Sequence, residues 1–137
     1  SANRLTTTTP GGNCEPTFDA CKLAEAAGAS FVGREVTRQA PALKNLIRNA
    51  IAHEGFSFVE VMSDCTEIYG RKNDLGESPE MILAQKADMR PEAFGNAADQ
   101  PFRPNRLVTG VLAQQNRPEY GATYRERAAL ERAKKGR

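Results

Sequence analysis

Hydrophobic positions change their period several times along the chain, and each change predicts an element. Residues 1 to 18 show no period. Thr6 to Thr9 lead into Pro10-Gly11-Gly12-Asn13, a turn-rich run, and Pro16 keeps the following segment extended. Asp19 places a side-chain acceptor ahead of Ala20 and predicts a short helix over 20–27, with Leu23, Ala24 and Ala27 as a narrow apolar face. Gly28 suits the position just past its end. Ser30 to Val36 reads as a strand. From Ala40 to His53 the period becomes helical: Ala40, Leu43, Leu46, Ile47, Ala50 and Ile51 recur at three, four and seven, with Lys44, Arg48 and Asn49 off that face. Gly55 ends this helix. Phe56 to Met62 is a second strand, rich in aromatic and β-branched residues.

Strand, helix and strand over about 33 residues form a βαβ unit, so the two strands should run parallel with a right-handed crossover. Open α/β sheets gather ligands at the carboxyl ends of their strands. The segment leaving the second strand there is Ser63-Asp64-Cys65-Thr66. Cys65 is therefore the cysteine placed where chemistry gathers. Its ordinary alternative is a partly buried structural thiol at a strand end.

Beyond Cys65 the sheet pattern stops. Tyr69 to Asn73 reads as a polar turn. Ser78 as N-cap and Pro79 as first helical residue predict a helix to about Met89. Residues 90 to 105 hold Pro91, Pro101 and Pro104 and read as irregular connection. Leu107 to Leu112 is a weak third strand. Arg117 to Tyr120 is a turn, followed by a charged helix from about Thr123 to Lys135. Two strong strands and a weak one cannot make a sheet covered on both faces. The reading is the back half of an α/β domain with a tail that wraps something else.

Composition narrows the function. The chain has 137 residues and a formal net charge of +2. That balance argues against nucleic-acid binding by bulk charge. No run approaches the roughly 18 apolar residues of a membrane span, and no signal peptide is visible. Charge is uneven: Arg125 to Arg137 holds six basic and two acidic residues, +4 locally, leaving about −2 elsewhere. The ordinary reading of that run is a solvated terminal helix, and the sharper one a dock for an acidic partner. Cys14, Cys21 and Cys65 are an odd number without a Cys-x-x-Cys pair, which predicts a reducing, cytoplasmic setting rather than a disulfide framework. With one histidine they match no common closed metal site. The chain opens on Ser1 rather than Met, which reads as a processed, cleaved or partial polypeptide.

Nucleotide-binding glycine motifs and His-Glu-x-x-His are absent from the sequence. His53 closes an amphipathic helix and reads as a partner of its dipole rather than a catalytic base. Phe56 and Phe58 read as core rather than a base-stacking platform. Asp19 and Glu25 have ordinary helical explanations. Arg71 and Lys72 read as solvated loop charges, with contact to a partner molecule as the alternative.

Several segments together resemble the β subunit of the 2-oxoacid:ferredoxin oxidoreductases. They are Thr8-Thr9-Pro10-x-Gly12-Asn13, Glu15-Pro16-x-Phe18-Asp19, and Cys21-Lys22-Leu23-Ala24-x-Ala26-x-Gly28-Ala29-x-Phe31-Val32. His53-x-Gly55-Phe56-Ser57-Phe58-Val59-Glu60-Val61 follows and leads into Cys65. Thr109-Gly110-Val111-Leu112 with Arg117-Pro118-Glu119-Tyr120 is similar to the 2-oxoglutarate branch. The likeness runs over nearly the whole chain but covers only the carboxyl-terminal half of that subunit. It implies a thiamine-diphosphate-binding α/β domain over 1–76 and a C-terminal extension of helices and wrapping tail over 77–137.

The resemblance also implies a reaction. A 2-oxoacid, here 2-oxoglutarate, is oxidatively decarboxylated with coenzyme A to succinyl-CoA and CO2. The cofactors are thiamine diphosphate, Mg²⁺ and a [4Fe–4S] cluster, and electrons pass to ferredoxin. It places Cys65 as the fourth cluster ligand. The implied partners are an α subunit, ferredoxin and the missing amino-terminal half of the β subunit. The Gly-Asp-Gly…Asn motif for Mg²⁺ and diphosphate and the other three cluster cysteines are not in this sequence. Gly11 and Cys14 stand where the family usually has an aromatic and an aliphatic residue. This chain alone is therefore expected to bind neither cofactor and not to turn over. The alternative is a non-catalytic scaffold or interaction module that packs on an α-subunit homologue.

Overall fold

In a computed structural model, residues 3–91 and 107–136 are described. The expected irregular connection over 90–105 lies almost wholly outside the described residues.

The chain folds as α1 (Ala20–Ala26), β1 (Phe31–Val36), α2 (Ala40–Ala52) and β2 (Ser57–Met62). A single π-helical turn (Thr66–Gly70) leads to α3 (Ser78–Asp88), and β3 (Met89–Pro91), β4 (Leu107–Gln114) and α4 (Tyr120–Lys135) complete it. β1 and β2 pair in parallel, Phe31 opposite Ser57 and Val36 opposite Met62, as the βαβ reading requires. β4 lies antiparallel on the other side of β1 and parallel to β3, giving a sheet in the order β2-β1-β4-β3. The fold is α/β, with a mixed rather than purely parallel sheet.

Strand alternation turns Val32 and Arg34 to one face of β1, and Phe31 and Gly33 to the other. On the first face, Cys21 and Ala24 of α1 pack with Ala29, Val32 and Ala113, and Phe58 and Leu112 close over them. On the second face Leu46 of α2 settles onto Gly33. A Cβ at Gly33 would meet Leu46 Cδ1 at 2.5 Å, so this close approach requires the missing side chain.

Local chemistry sets most element ends. The Asp19 carboxylate accepts the Lys22 N–H at 3.2 Å and caps α1, as expected. Four expectations are corrected. Tyr69 to Asn73 is not an open turn, because 66–70 is helical and the helical path runs on through Lys72. Ser78 does not cap α3. Its hydroxyl donates to Asp64 Oδ2 at 2.6 Å, while Glu80 reaches back to accept the Glu77 N–H at 3.1 Å. Met89 leaves the helix to begin β3. Finally, α4 starts at Tyr120, because the Glu119 carboxylate accepts from the Gly121 and Ala122 N–H groups, both at 2.6 Å.

Exposure departs from the expected core in two places. Phe58 is half-buried against the core, but Phe56 is 52% exposed. On α2 only Leu46 is buried, and Ile51 is 81% exposed. α4 has no buried residue at all, so here the tail wraps nothing among the described residues. No described helix is long and apolar enough to cross a membrane.

Candidate functional site

The two strong parallel strands point their carboxyl ends to one side of the sheet. β2 ends at Met62, and Cys65 follows three residues later as an exposed thiol at the N-terminal boundary of the π-helical turn. That turn is what makes the thiol unusual. Its backbone curls so that the Tyr69 and Ile68 N–H groups aim at the sulfur, and these bonds lower the Cys65 pKa below the ordinary 9.0. Nearby Asp64 and Glu67 oppose the shift without reversing it. Cys65 is thus an accessible sulfur biased toward thiolate, the form that binds metals.

Three contacts hold the turn. The Gly70 N–H donates to the Cys65 carbonyl at 2.8 Å. A side chain at Gly70 would place its Cβ 2.8 Å from Met81 Sδ and 3.2 Å from that carbonyl, so glycine lets α3 close against the turn. The Ser78–Asp64 bond ties the start of α3 to the residue before Cys65.

Asn73 adds a tie the sequence did not disclose. Its Oδ1 accepts the Leu5 N–H at 2.8 Å, and its Nδ2 donates to the Leu5 carbonyl at 3.0 Å and the Tyr69 carbonyl at 2.9 Å. The amino-terminal loop, in which Asn3 and Arg4 bond to Asn13, is thereby fastened to the Cys65 turn. The Thr-Pro-Gly-Gly-Asn run and the cysteine segment, some 50 residues apart in sequence, belong to one end of the molecule.

The other cysteines differ. Cys14 is exposed in the loop, 3.8 Å from the Gly12 carbonyl. Cys21 is buried within α1, 3.5 Å from Glu60 Oε2, and burial above all pushes its thiol up to about 12. It is a packed thiol held in its protonated form. Among the described residues no three His, Cys, Asp or Glu side chains converge on a metal position.

Within the sheet lies a buried ionic network. Arg34, 1% exposed, donates Nε to Glu60 Oε2 and Nη2 to Asp19 Oδ1, both at 2.5 Å, and Nη1 to the Val108 carbonyl at 3.3 Å. One guanidinium thus joins α1, β1, β2 and β4. Asp19 caps α1 and binds Arg34 at once, so its role is more than the ordinary helical one. Nothing in the sequence flags this set, since its members lie 15 and 26 residues from Arg34.

The remaining candidates are placed as follows. His53 sits at the C-cap of α2, but its ring bonds the Ser30 hydroxyl at 2.8 Å and lies against Phe31. Arg71 pairs with Glu67 at 2.9 Å in an exposed bridge, and Lys72 is exposed beside it.

Comparison with known proteins gives this geometry a context. The family model for the thiamine pyrophosphate enzyme C-terminal TPP-binding domain matches residues 2–61, ending just before the Cys65 segment. The 2-oxoglutarate synthase subunit KorB of Methanothermobacter marburgensis is 34% identical over 113 residues, 82% of this chain and 40% of its own length. KorB of Methanocaldococcus jannaschii is 33% identical over 114 residues, covering 83% and 42%. The 2-oxoglutarate oxidoreductase subunit KorB of Mycobacterium tuberculosis is 36% identical over 62 residues, covering 45% and 17%. A solved 2-oxoglutarate:ferredoxin oxidoreductase from Magnetococcus marinus, with 2-oxoglutarate, coenzyme A and succinyl-CoA bound, shares the fold. It superposes at a TM-score of 0.67 and 21% identity, over 94% of this chain and 46% of that one. The chain spans about two fifths of the length of the archaeal relatives it matches over four fifths of itself. The solved structure shows a shared fold, and by sequence the chain belongs with the 2-oxoglutarate branch of 2-oxoacid:ferredoxin oxidoreductase β subunits and corresponds to their carboxyl-terminal part.

Proposed function

We propose that this chain is the carboxyl-terminal portion of a β subunit that converts 2-oxoglutarate, coenzyme A and oxidised ferredoxin to succinyl-CoA, CO2 and reduced ferredoxin. The observation that carries the reading is Cys65. An exposed thiol, biased to thiolate by two backbone N–H groups, stands at the carboxyl end of a parallel strand in a chain related to KorB.

In this reading Cys65 supplies one of four thiolates to a [4Fe–4S] cluster. When bound, thiamine diphosphate with Mg²⁺ supplies the electron sink for decarboxylation, and the cluster supplies one-electron transfer. The chain's own groups position and tune. The Ile68 and Tyr69 N–H groups remain directed at sulfur and draw charge from it, which favours the reduced state of anything it ligates. Gly70, Asp64 and Ser78 fix the sulfur's direction, and Asn73 holds the amino-terminal loop alongside. The Arg34 network ties α1 and β2 to β1. A second subunit, and the part of the β subunit this chain does not span, supply the remaining ligands and substrate contacts. With one candidate thiolate, the isolated chain is inactive.

The test uses native polypeptide containing this sequence, purified without oxygen. Ferredoxin reduction is followed with 2-oxoglutarate and coenzyme A, and separately with pyruvate. Activity dependent on coenzyme A and at least tenfold faster with 2-oxoglutarate supports the reading. Iron-free material that reduces no ferredoxin with either acid overturns it.

A further inference from the structure

The Asn73 side chain uses both ends of its amide. Nδ2 donates to the Leu5 carbonyl at 3.0 Å and the Tyr69 carbonyl at 2.9 Å, while Oδ1 accepts the Leu5 N–H at 2.8 Å. Turned over, the amide would set its NH2 against the Leu5 N–H and its oxygen against two carbonyls, and all three bonds would be lost. All three partners are backbone groups. The tie therefore fixes the path of the chain at Leu5 and at Tyr69, whatever their side chains do.

From Asn73 two short routes lead to Cys65. The Tyr69 carbonyl that accepts from Asn73 belongs to the peptide whose N–H, that of Gly70, donates to the Cys65 carbonyl at 2.8 Å. The N–H of Tyr69 itself is one of the two aimed at the Cys65 sulfur. Along the backbone, the Asn73 N–H donates to the Gly70 carbonyl at 3.2 Å, where the Leu75 N–H joins it at 3.0 Å. On the other side, the amino-terminal loop is closed on itself. Asn3 and Asn13 bond at 2.7 Å, Asn13 and Arg4 at 3.0 Å, and Thr6 and Thr9 both ways at 3.3 Å. Leu5 lies between these closures. The loop falls within the matched thiamine pyrophosphate domain, residues 2–61, whereas Cys65 and Asn73 lie beyond it. Asn73 thus bridges that domain and the cysteine turn.

We propose that Asn73 is a positioning residue that couples the amino-terminal loop to the Cys65 turn, so that the seating of the loop decides how firmly the turn holds its sulfur. The coupling rests on these hydrogen bonds alone, and its bearing on electron transfer rests on the subunit reading above. In that reading, whatever loosens the loop slackens the N–H groups that face the cluster ligand and makes the cluster harder to reduce. A linked set of bonds is recognised by non-additivity: once the link is cut, a second cut adds little. Lys72 is the foil. It is exposed next to Asn73, and its side chain takes no part in the tie.

The test uses the complete β subunit containing this sequence, purified without oxygen, as parent, Asn73→Leu, Leu5→Pro, the double variant and Lys72→Ala. Hydrogen exchange is read at the Ile68, Tyr69 and Gly70 amides. Leu5→Pro deletes the N–H that Asn73 accepts and alters nothing within the turn. Each single variant at Asn73 or Leu5 is expected to speed those amides at least about tenfold, and Lys72→Ala to leave them unchanged. The double variant should exceed the faster single one by less than about threefold. The midpoint potential of the cluster, titrated with detection by electron paramagnetic resonance, should fall in both single variants, making reduction at least about threefold less favourable. Asn73→Asp keeps the acceptor and loses both donors, and it replaces Asn73→Leu should that variant fail to fold. The inference is overturned if Leu5→Pro leaves the turn amides at the parent rate, if the two effects multiply, or if the amides speed up while the potential stays at the parent value. Failure of the subunit reading looks different: the amides are coupled as expected, in a subunit that holds no iron.

Discussion

β1 and β2 are both six residues long, parallel and rich in apolar side chains, yet they live in different surroundings. β1 has a strand on each side and a helix on each face, and it buries even an arginine and a glutamate. Among the described residues β2 has one neighbouring strand, and it leaves Val61 in water. The difference teaches that the described chain has a finished half, closed around β1, and an unfinished half, open at β2. The finished half is pinned by Arg34. The unfinished half carries the Cys65 turn away from its carboxyl end. The candidate site thus grows from the open side of the molecule.

The sharpest way to break the contrast is at the finished strand. Arg34→Met leaves the Asp19 and Glu60 carboxylates without their cation, and losing one member of such a buried set costs about 3–5 kcal/mol. Urea unfolding of the variant should show most of the fold's margin gone; a loss under about 1 kcal/mol would mean that the network is not what joins α1 to the sheet. Gly33→Ala forces its Cβ onto Leu46 and should cost about 1–3 kcal/mol by the same measurement, unless Leu46 rotates freely.

A smaller effect appears with pH. The folded state holds the Cys21 thiol protonated, its pKa raised from 9.0 to about 12, and the unfolded chain does not. The stability this gives is complete below pH 9 and is lost as pH rises from 9 to 12. Cys21→Ala should flatten that decline relative to the parent chain, and identical slopes would contradict the assigned environment. In the same range of reactivity, iodoacetamide at pH 7.5 should modify Cys65 at least tenfold faster than Cys21. The smallest effect belongs to the open half. Ile51→Ser should change the stability of this chain by less than about 0.5 kcal/mol, because its side chain already meets water. A loss above about 1.5 kcal/mol would mean that this face is covered in solution.

How much of this was legible follows the same division. The βαβ unit was readable because hydrophobic period alone separates strand from helix, and the position of Cys65 followed from its topology. Periodicity also marked Ile47 and Ile51 as buried, whereas this chain leaves them exposed. A helix's apolar period shows which side chains share a face, not whether anything in the chain covers that face. Phe56 was misread as core for the same reason. The Cys65 turn was hidden because its helical path runs through polar residues and a glycine, which read as a loop. Ser78 looked like a cap until Asp64 claimed its hydroxyl and Glu80 took over the capping. β4 was seen as weak and became the central partner of β1, since a strand's worth depends on what it pairs with. The Arg34, Asp19 and Glu60 set was invisible because only folding brings those charges together.

The central claim is that Cys65 is a cluster ligand. The most direct measurement is iron and acid-labile sulfide in the complete β subunit containing this sequence, purified without oxygen, for the parent, Cys65→Ala and Cys21→Ala. The account predicts about four irons per subunit in the parent, little change in Cys21→Ala, and loss of most iron and of ferredoxin reduction in Cys65→Ala. Parent-level iron and activity in Cys65→Ala would contradict it.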